Sequence, residues 1–309
     1  VGVRATAGEA AMQDVTYRLP DIEVMEPGHL GCGGCGAALA MRLALKALGP
    51  RTILVIPACC WSVIDGPSPH SAAGVPIMHT PFASAAAAAS GVRAALDRKG
   101  DTETTVCAWA GDGGTFDIGI QALSAAAERN ENILYVCYDN EAYMNTGVQR
   151  SSATPLGAWT TTTPASHPKT QPKKDLAAIM AAHGVPYVAT ATVAYPDDLV
   201  DKLRRAQAMR GLRFLHVLSP CPPGWRIPSE DAIRVGRLAV AARVFPLFEV
   251  IDGRIWRITV RPPEVPLEDY LRDQGRFRFL LDDPAALEAA RQHVERRWAA
   301  LLERARESG

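Results

Sequence analysis

The chain has 309 residues, enough to bury a full core as one large domain or one domain with an appendage. Its 33 basic and 33 acidic side chains cancel, so the global field gives no reason to expect nucleic acid or an anionic membrane as partner. No apolar run reaches transmembrane length, and residues 1–20 carry Arg4, Glu9, Asp14 and Arg18 without the apolar core of a secretory signal. The cytoplasm is the expected compartment. The first residue is Val1, Met12 is an alternative start, and the residues before it are read as a tail outside the fold.

The first informative stretch is GHLGCGGCG, Gly28 to Gly36, leading into a helix over 37–48. A Cys-x-x-Cys before a helix suits a redox pair, half of a zinc site or half of an iron–sulfur site. The flanking glycines favour a metal, because they let backbone N–H groups turn toward cluster sulfurs. Five more cysteines follow. Cys59 and Cys60 end the apolar run ILVIPACC, and Cys221 follows the run Phe214 to Leu218. Both places read as carboxyl ends of strands. Cys32, Cys35, one of Cys59 and Cys60, and Cys221 are thus expected to meet on one rim. Four thiolates there suit zinc or a [4Fe–4S] cluster, and spacing alone does not separate them. Cys107 and Cys137 lie inside apolar strands and read as inert core.

The centre of the chain is Val106 to Gly147. A strand over 106–110 ends in Gly111-Asp112-Gly113-Gly114; a helix follows, with Ile118, Leu123 and Ala126 on its inner face. A second strand over 133–138 ends in Asp139-Asn140. This is a βαβ unit, with parallel strands and a right-handed crossover. Its two polar loops then fall where ligands bind in open α/β sheets. The three glycines allow close approach to a phosphate at a helix start. Asp112 and Asn140 offer the hard oxygens that Mg²⁺ prefers. A Gly-Asp-Gly turn followed one strand later by this Asn resembles the thiamine-diphosphate fingerprint.

The remaining elements alternate. Strands are expected over 52–56, 187–190 and 214–218, and helices over 85–96, 175–183 and 196–209. That alternation predicts a doubly wound, mostly parallel α/β sheet with a C-terminal α+β extension, and the resemblance of the Gly-Asp-Gly…Asn motif implies the thiamine-diphosphate-binding type. The domain reading is a tail over 1–26, a cofactor domain over 27–227, and an extension over 228–309 for subunit packing. The extension holds a helix over 232–244, a hairpin turning at Asp252-Gly253, and a long charged helix over 283–307. Ser151 to Lys174, rich in Ser, Thr, Pro and Lys, is too long for an idle connection and reads as functional or partner-contacting. His29 and His79 are read as either structural or cofactor-facing, and Trp61 as a shield beside the cluster cysteine.

Four stretches, GHLGCGGCG, GDGGTFDIGIQALSAAAERN, YDNEAYMNTGVQRSSATPLGAWTTTTP and LSPCPPGW, together resemble the beta subunit of the 2-oxoacid:ferredoxin oxidoreductases, in particular the pyruvate-type branch. The likeness runs from about Pro27 through IRVGRLAVAARVFPLFEV. It implies oxidative decarboxylation of a 2-oxoacid to acyl-coenzyme A and carbon dioxide, with electrons leaving through one [4Fe–4S] cluster to ferredoxin. By that resemblance the cluster ligands are Cys32, Cys35, Cys60 and Cys221; Cys59 stands where the family has Gly. The Mg²⁺ ligands are Asp112, Asn140 and the carbonyl of Ala142. Diphosphate and substrate contacts fall on Asn145 and Thr146, with Gly111, Gly113 and Gly114 also lining the cofactor. Phe82-Ala83-Ser84 departs from the family's Phe-Glu-Asn type run. The Glu that activates the aminopyrimidine is implied to come from an alpha chain, with gamma and ferredoxin-like delta subunits completing the complex. Alternatives are a branched-chain or aryl 2-oxoacid with electrons passed to NAD through another subunit, a non-redox thiamine-diphosphate decarboxylase or synthase, and a zinc-stabilised interaction module.

Overall fold

The computed structural model describes residues 17–308; the expected tail before Met12 lies outside them. Eight strands form one sheet: β1 Thr52–Pro57, β2 Ile77–Thr80, β3 Thr105–Gly111, β4 Leu134–Asp139, β5 Tyr187–Thr192, β6 Arg213–Leu218, β7 Phe248–Ile251 and β8 Ile255–Ile258. Their order is β2-β1-β3-β4-β6-β5-β7-β8. The first six are parallel, β7 pairs antiparallel with β5, and β8 pairs antiparallel with β7.

Period-two alternation sends successive strand residues to opposite faces. Leu54, Ile56, Cys107, Trp109, Val136, Tyr138, Leu215 and Val217 pack under the helices Gly36–Leu48 and Pro196–Ala208. Val55, Val106, Ala108, Tyr135, Cys137 and Phe214 face the helices Ala85–Arg98, Ile120–Glu128 and Leu176–Ala182. Helices therefore cover both faces, as the apolar runs foretell for a parallel sheet. Cys107 and Cys137 are fully buried, in keeping with inert core residues.

The β7–β8 hairpin turns at Asp252 and Gly253, both at positive φ, and adds to the β5 edge of the same sheet. A third core gathers Trp225, Tyr270, Phe277 and Leu280 beneath the helix Pro284–Glu307.

Two expectations are corrected. Ile118 is half exposed rather than on the inner face, while Leu123 and Ala126 are buried as read. Gly113–Ile118 forms a π-helical turn, whose extra residue rotates Ile118 outward before the α-helix begins. Trp61 is fully buried in the core, its indole N–H donating to the carbonyl of Ala37 at 3.0 Å; Leu30, Val63 and Ile64 line the cysteine cavity instead.

Candidate functional site

Four strands adjacent in the sheet, β1, β3, β4 and β6, end in the loops that carry Cys60, Asp112, Asn140 and Cys221. Parallel pairing puts these loops side by side on one rim. Two cavities open there. The first, about 240 Å³, is lined by Gly111, Asp112, Gly113, Asn140, Ala142, Asn145 and Thr146, with Phe82 and Tyr143 as aromatic walls. The second, about 300 Å³, is lined by Cys32, Cys35, Cys60 and Cys221. Cys60, Asn140, Met144 and Asn145 line both, so one thin wall separates them.

In the first cavity, three oxygens converge. The Asn140 side-chain oxygen faces Asp112 Oδ1 and the Ala142 carbonyl, each at 3.0 Å; turning the amide over would instead give two hydrogen bonds. Adjacent oxygens of an octahedral Mg²⁺ at about 2.1 Å stand roughly 3.0 Å apart, so the spacing fits that ion without any rotation. The other Asp112 oxygen, Oδ2, accepts from the Ser151 hydroxyl at 2.6 Å. Burial, and then the neighbouring Asp139 carboxylate, push the Asp112 carboxyl well above its usual range. A bound cation would reverse that, because it favours the ionised form.

Beneath the oxygens lies a charge network. Asp139 meets Lys173 and accepts from His216 Nε2 at 2.6 Å. Burial opposes its ionisation, but Lys173 and the His216 bond outweigh it and hold the carboxyl at about 2. His216, buried between Phe116 and Phe245, is itself pushed below the usual imidazole range by burial. Lys173 therefore carries the countercharge.

Gly113 is required by packing. A Cβ there would lie 2.3 Å from the Tyr143 ring, whose hydroxyl donates to Asp117 at 2.7 Å. Gly114 backs onto Phe82 rather than lining the cavity. Asn145 and Thr146 are exposed on the cavity's rim.

The second cavity is built from backbone. The Cys35 N–H donates to the Cys32 carbonyl at 3.1 Å, and the Gly36 N–H donates to the Pro220 carbonyl at 3.0 Å, which brings the Cys-x-x-Cys turn against the Cys221 loop. A Cβ on Gly36 would meet Pro220 backbone at 2.7 Å. Burial pushes the Cys60 thiol up to about 12 and Cys221 up to about 11. Thiolates at those positions need a cation. Among the described residues no three His, Cys, Asp or Glu side chains converge on a single ion. The four thiols line one cavity and are groups that could hold a metal or a cluster. Cys59 turns toward the first cavity, its thiol against the Tyr138 hydroxyl.

The histidines take structural places. His29 Nδ1 accepts from the Gly31 N–H at 3.1 Å, and His79 sits 4.0 Å from Asp65. The residues that sequence reasoning passed over are Ser151, Glu141 and Arg276, together with the inward turn of Lys173. The length of the 151–174 loop hinted at Ser151 and Lys173, and no sequence signal pointed to Glu141 or Arg276.

Comparison with known proteins identifies the family and the fold class. The family described as thiamine pyrophosphate enzyme, C-terminal TPP binding domain, matches residues 62–217. Pyruvate synthase subunit PorB of Methanothermobacter thermautotrophicus is 50% identical over 273 residues, covering 87% of this chain and 94% of that protein. Ketoisovalerate oxidoreductase subunit VorB of Pyrococcus abyssi is 46% identical over 302 residues, covering 94% and 96%. In fold, the chain is similar to a 2-oxoglutarate:ferredoxin oxidoreductase from Magnetococcus marinus, with a TM-score of 0.56 and 23% identity over 72% of this chain and 84% of that one. The chain carries a thiamine-diphosphate-binding domain of the α/β type. It belongs to the beta-subunit family of the 2-oxoacid:ferredoxin oxidoreductases, enzymes that act as assemblies of subunits. No helix among the described residues is long and apolar enough to cross a membrane.

Proposed function

We propose that this chain holds the diphosphate end of thiamine diphosphate through Mg²⁺, and one [4Fe–4S] cluster beside it, in an oxidoreductase converting a 2-oxoacid and coenzyme A to acyl-coenzyme A and carbon dioxide. The observation that carries this reading is the pair of cavities, one ringed by hard oxygens and one by four thiols, sharing a wall at Cys60 and Asn140. Mg²⁺ would be held by Asp112, Asn140 and the Ala142 carbonyl, and the cluster by Cys32, Cys35, Cys60 and Cys221. Thiamine diphosphate supplies an electron sink for loss of the carboxylate. The protein supplies placement: it fixes the diphosphate end at the rim, excludes water with Phe82, Tyr143 and Met144, and offers a short path to the thiols. Asp112 is the one carboxylate lining this pocket among the described residues and would be taken up by Mg²⁺, so the acid that activates the aminopyrimidine is assigned to the partner alpha subunit.

Pyruvate is the substrate we favour, from the 50% identity to a pyruvate synthase subunit. The similar identity to ketoisovalerate oxidoreductase subunits supports a branched-chain 2-oxoacid as the second reading. Ferredoxin is the acceptor in both, the gamma and delta subunits complete the electron path, and residues 228–309 serve subunit packing. The test is iron and acid-labile sulfide content, with an EPR spectrum after reduction, on complex purified without air. Relative to the same complex carrying Cys221→Ser, about four more irons per beta chain and an additional reduced-cluster signal are expected. Zinc, or no metal at those cysteines, would sink the redox reading and leave a thiamine-diphosphate domain with a thiol cluster. A 2-oxoacid screen on the whole complex then separates pyruvate from the branched-chain acids.

A further inference from the structure

Glu141 lies between two of the proposed metal ligands, yet it faces away from them. Its φ is +70°, a left-handed conformation that a side chain with a Cβ adopts at a cost and keeps only when its surroundings hold it there. Every polar group of the residue is engaged. The N–H donates to Asp139 Oδ1 at 2.8 Å, and the carbonyl accepts from the Thr154 hydroxyl at 2.8 Å. Oε1 accepts from Lys173 Nζ at 2.7 Å. Oε2 forms a close ion pair with Arg276 Nη2 at 2.7 Å, though too bent for an aligned hydrogen bond. Both carboxylate and guanidinium are only 2% exposed.

Arg276 has a second grip on the same loop. Its guanidinium stacks 3.9 Å above the Trp225 ring, and the Trp225 indole N–H donates to the Asn140 carbonyl at 2.8 Å. The arginine is itself fixed by Gln274 Oε1 at 3.0 Å and by the Tyr270 hydroxyl at 3.1 Å. It belongs to the C-terminal region, beyond the sheet's parallel strands.

We infer that Arg276 and Glu141 are positioning residues for the metal loop: the pair holds residue 141 in its left-handed turn, so that the Asn140 side chain and the Ala142 carbonyl on either side of it face Asp112. The inference rests on the Mg²⁺ reading above. The C-terminal region thereby sets the geometry of a site to which it contributes no ligand.

The test uses the complete complex with Mn²⁺ as probe in saturating thiamine diphosphate, with the dissociation constant read by EPR of free Mn²⁺ and iron content measured in parallel. Arg276→Met and Glu141→Gln should each weaken Mn²⁺ on the order of 10–100-fold, as loss of outer-shell support does, with iron content unchanged. The double variant Glu141→Gln/Arg276→Met should be no worse than the poorer single one. Arg276→Lys, which keeps the charge and is the milder change if the Met variant fails to fold, should recover part of the affinity. Unchanged Mn²⁺ affinity in Arg276→Lys and Glu141→Gln, or iron lost in step with Mn²⁺, would overturn the inference. Wild-type binding that is indifferent to Asp112→Asn would instead overturn the metal reading itself.

Discussion

The two cavities share a wall but hold their donors by different means. Around the oxygen cavity, side chains do the holding: Ser151 fixes one oxygen of Asp112, Trp225 fixes the Asn140 backbone, and Lys173 balances Asp139. Around the sulfur cavity, backbone does it, through the Cys35–Cys32 and Gly36–Pro220 hydrogen bonds, and Cys32 stands exposed. The contrast follows the chemistry. A hard cation with strict octahedral geometry needs oxygens fixed in direction, whereas a cluster brings its own rigid core and needs thiols only near its corners.

The largest expected effect tests the sulfur side. Cys221→Ser and Cys60→Ser should abolish this chain's contribution to the reduced-cluster EPR signal, while Cys59→Ser keeps it, because Cys59 faces the oxygen cavity. A signal that survives Cys60→Ser and vanishes with Cys59→Ser would exchange the two roles. Next comes the oxygen side. Asp112→Asn should weaken thiamine diphosphate with Mg²⁺ by about 100-fold or more in calorimetry, with iron content intact. Concurrent loss of iron would show that the two cavities are one unit rather than neighbours.

A smaller effect is expected at Gly36, where an added Cβ must displace the Pro220 backbone. Gly36→Ala should cost about 1–3 kcal/mol in thermal or denaturant unfolding and accelerate iron loss to a chelator, leaving Mg²⁺ affinity unaltered. The mildest concerns pH. In the unfolded chain His216 protonates below about 6.5, whereas in the fold burial holds its pKa lower, so the unfolded state binds more protons as pH falls. This contribution to stability is present above that pH and is lost progressively below it. Thermal melts between about pH 7.5 and pH 5 should slope less steeply in His216→Asn than in wild type. An equal slope would mean that His216 titrates alike in the folded and unfolded chain.

The same contrast explains what could be read from the sequence. Backbone-held thiols leave a local signature, glycines around Cys32 and Cys35 and cysteines at strand ends. The βαβ unit was legible because β3 and β4 are unbroken apolar runs closed by polar loops. The oxygens of Asp112 and Asn140 show in their motif, but the side chains that hold them leave no signature: Glu141 meets cations from Lys173 and Arg276, far along the chain, and neither the pairing nor a left-handed glutamate shows in the periodicity. Ile118 was misplaced for a similar reason, since a π-turn shifts the helical phase without changing composition.

The exposure of Cys32 carries a consequence for handling and for assembly. With a cluster bound, the corner at Cys32 is the one nearest solvent, which shortens the tunnelling distance to any acceptor docked there. The same opening admits dioxygen. On the proposed reading, the lifetime of the cluster in air should therefore depend on whether a companion protein stands over that corner, and the iron analysis calls for purification without air.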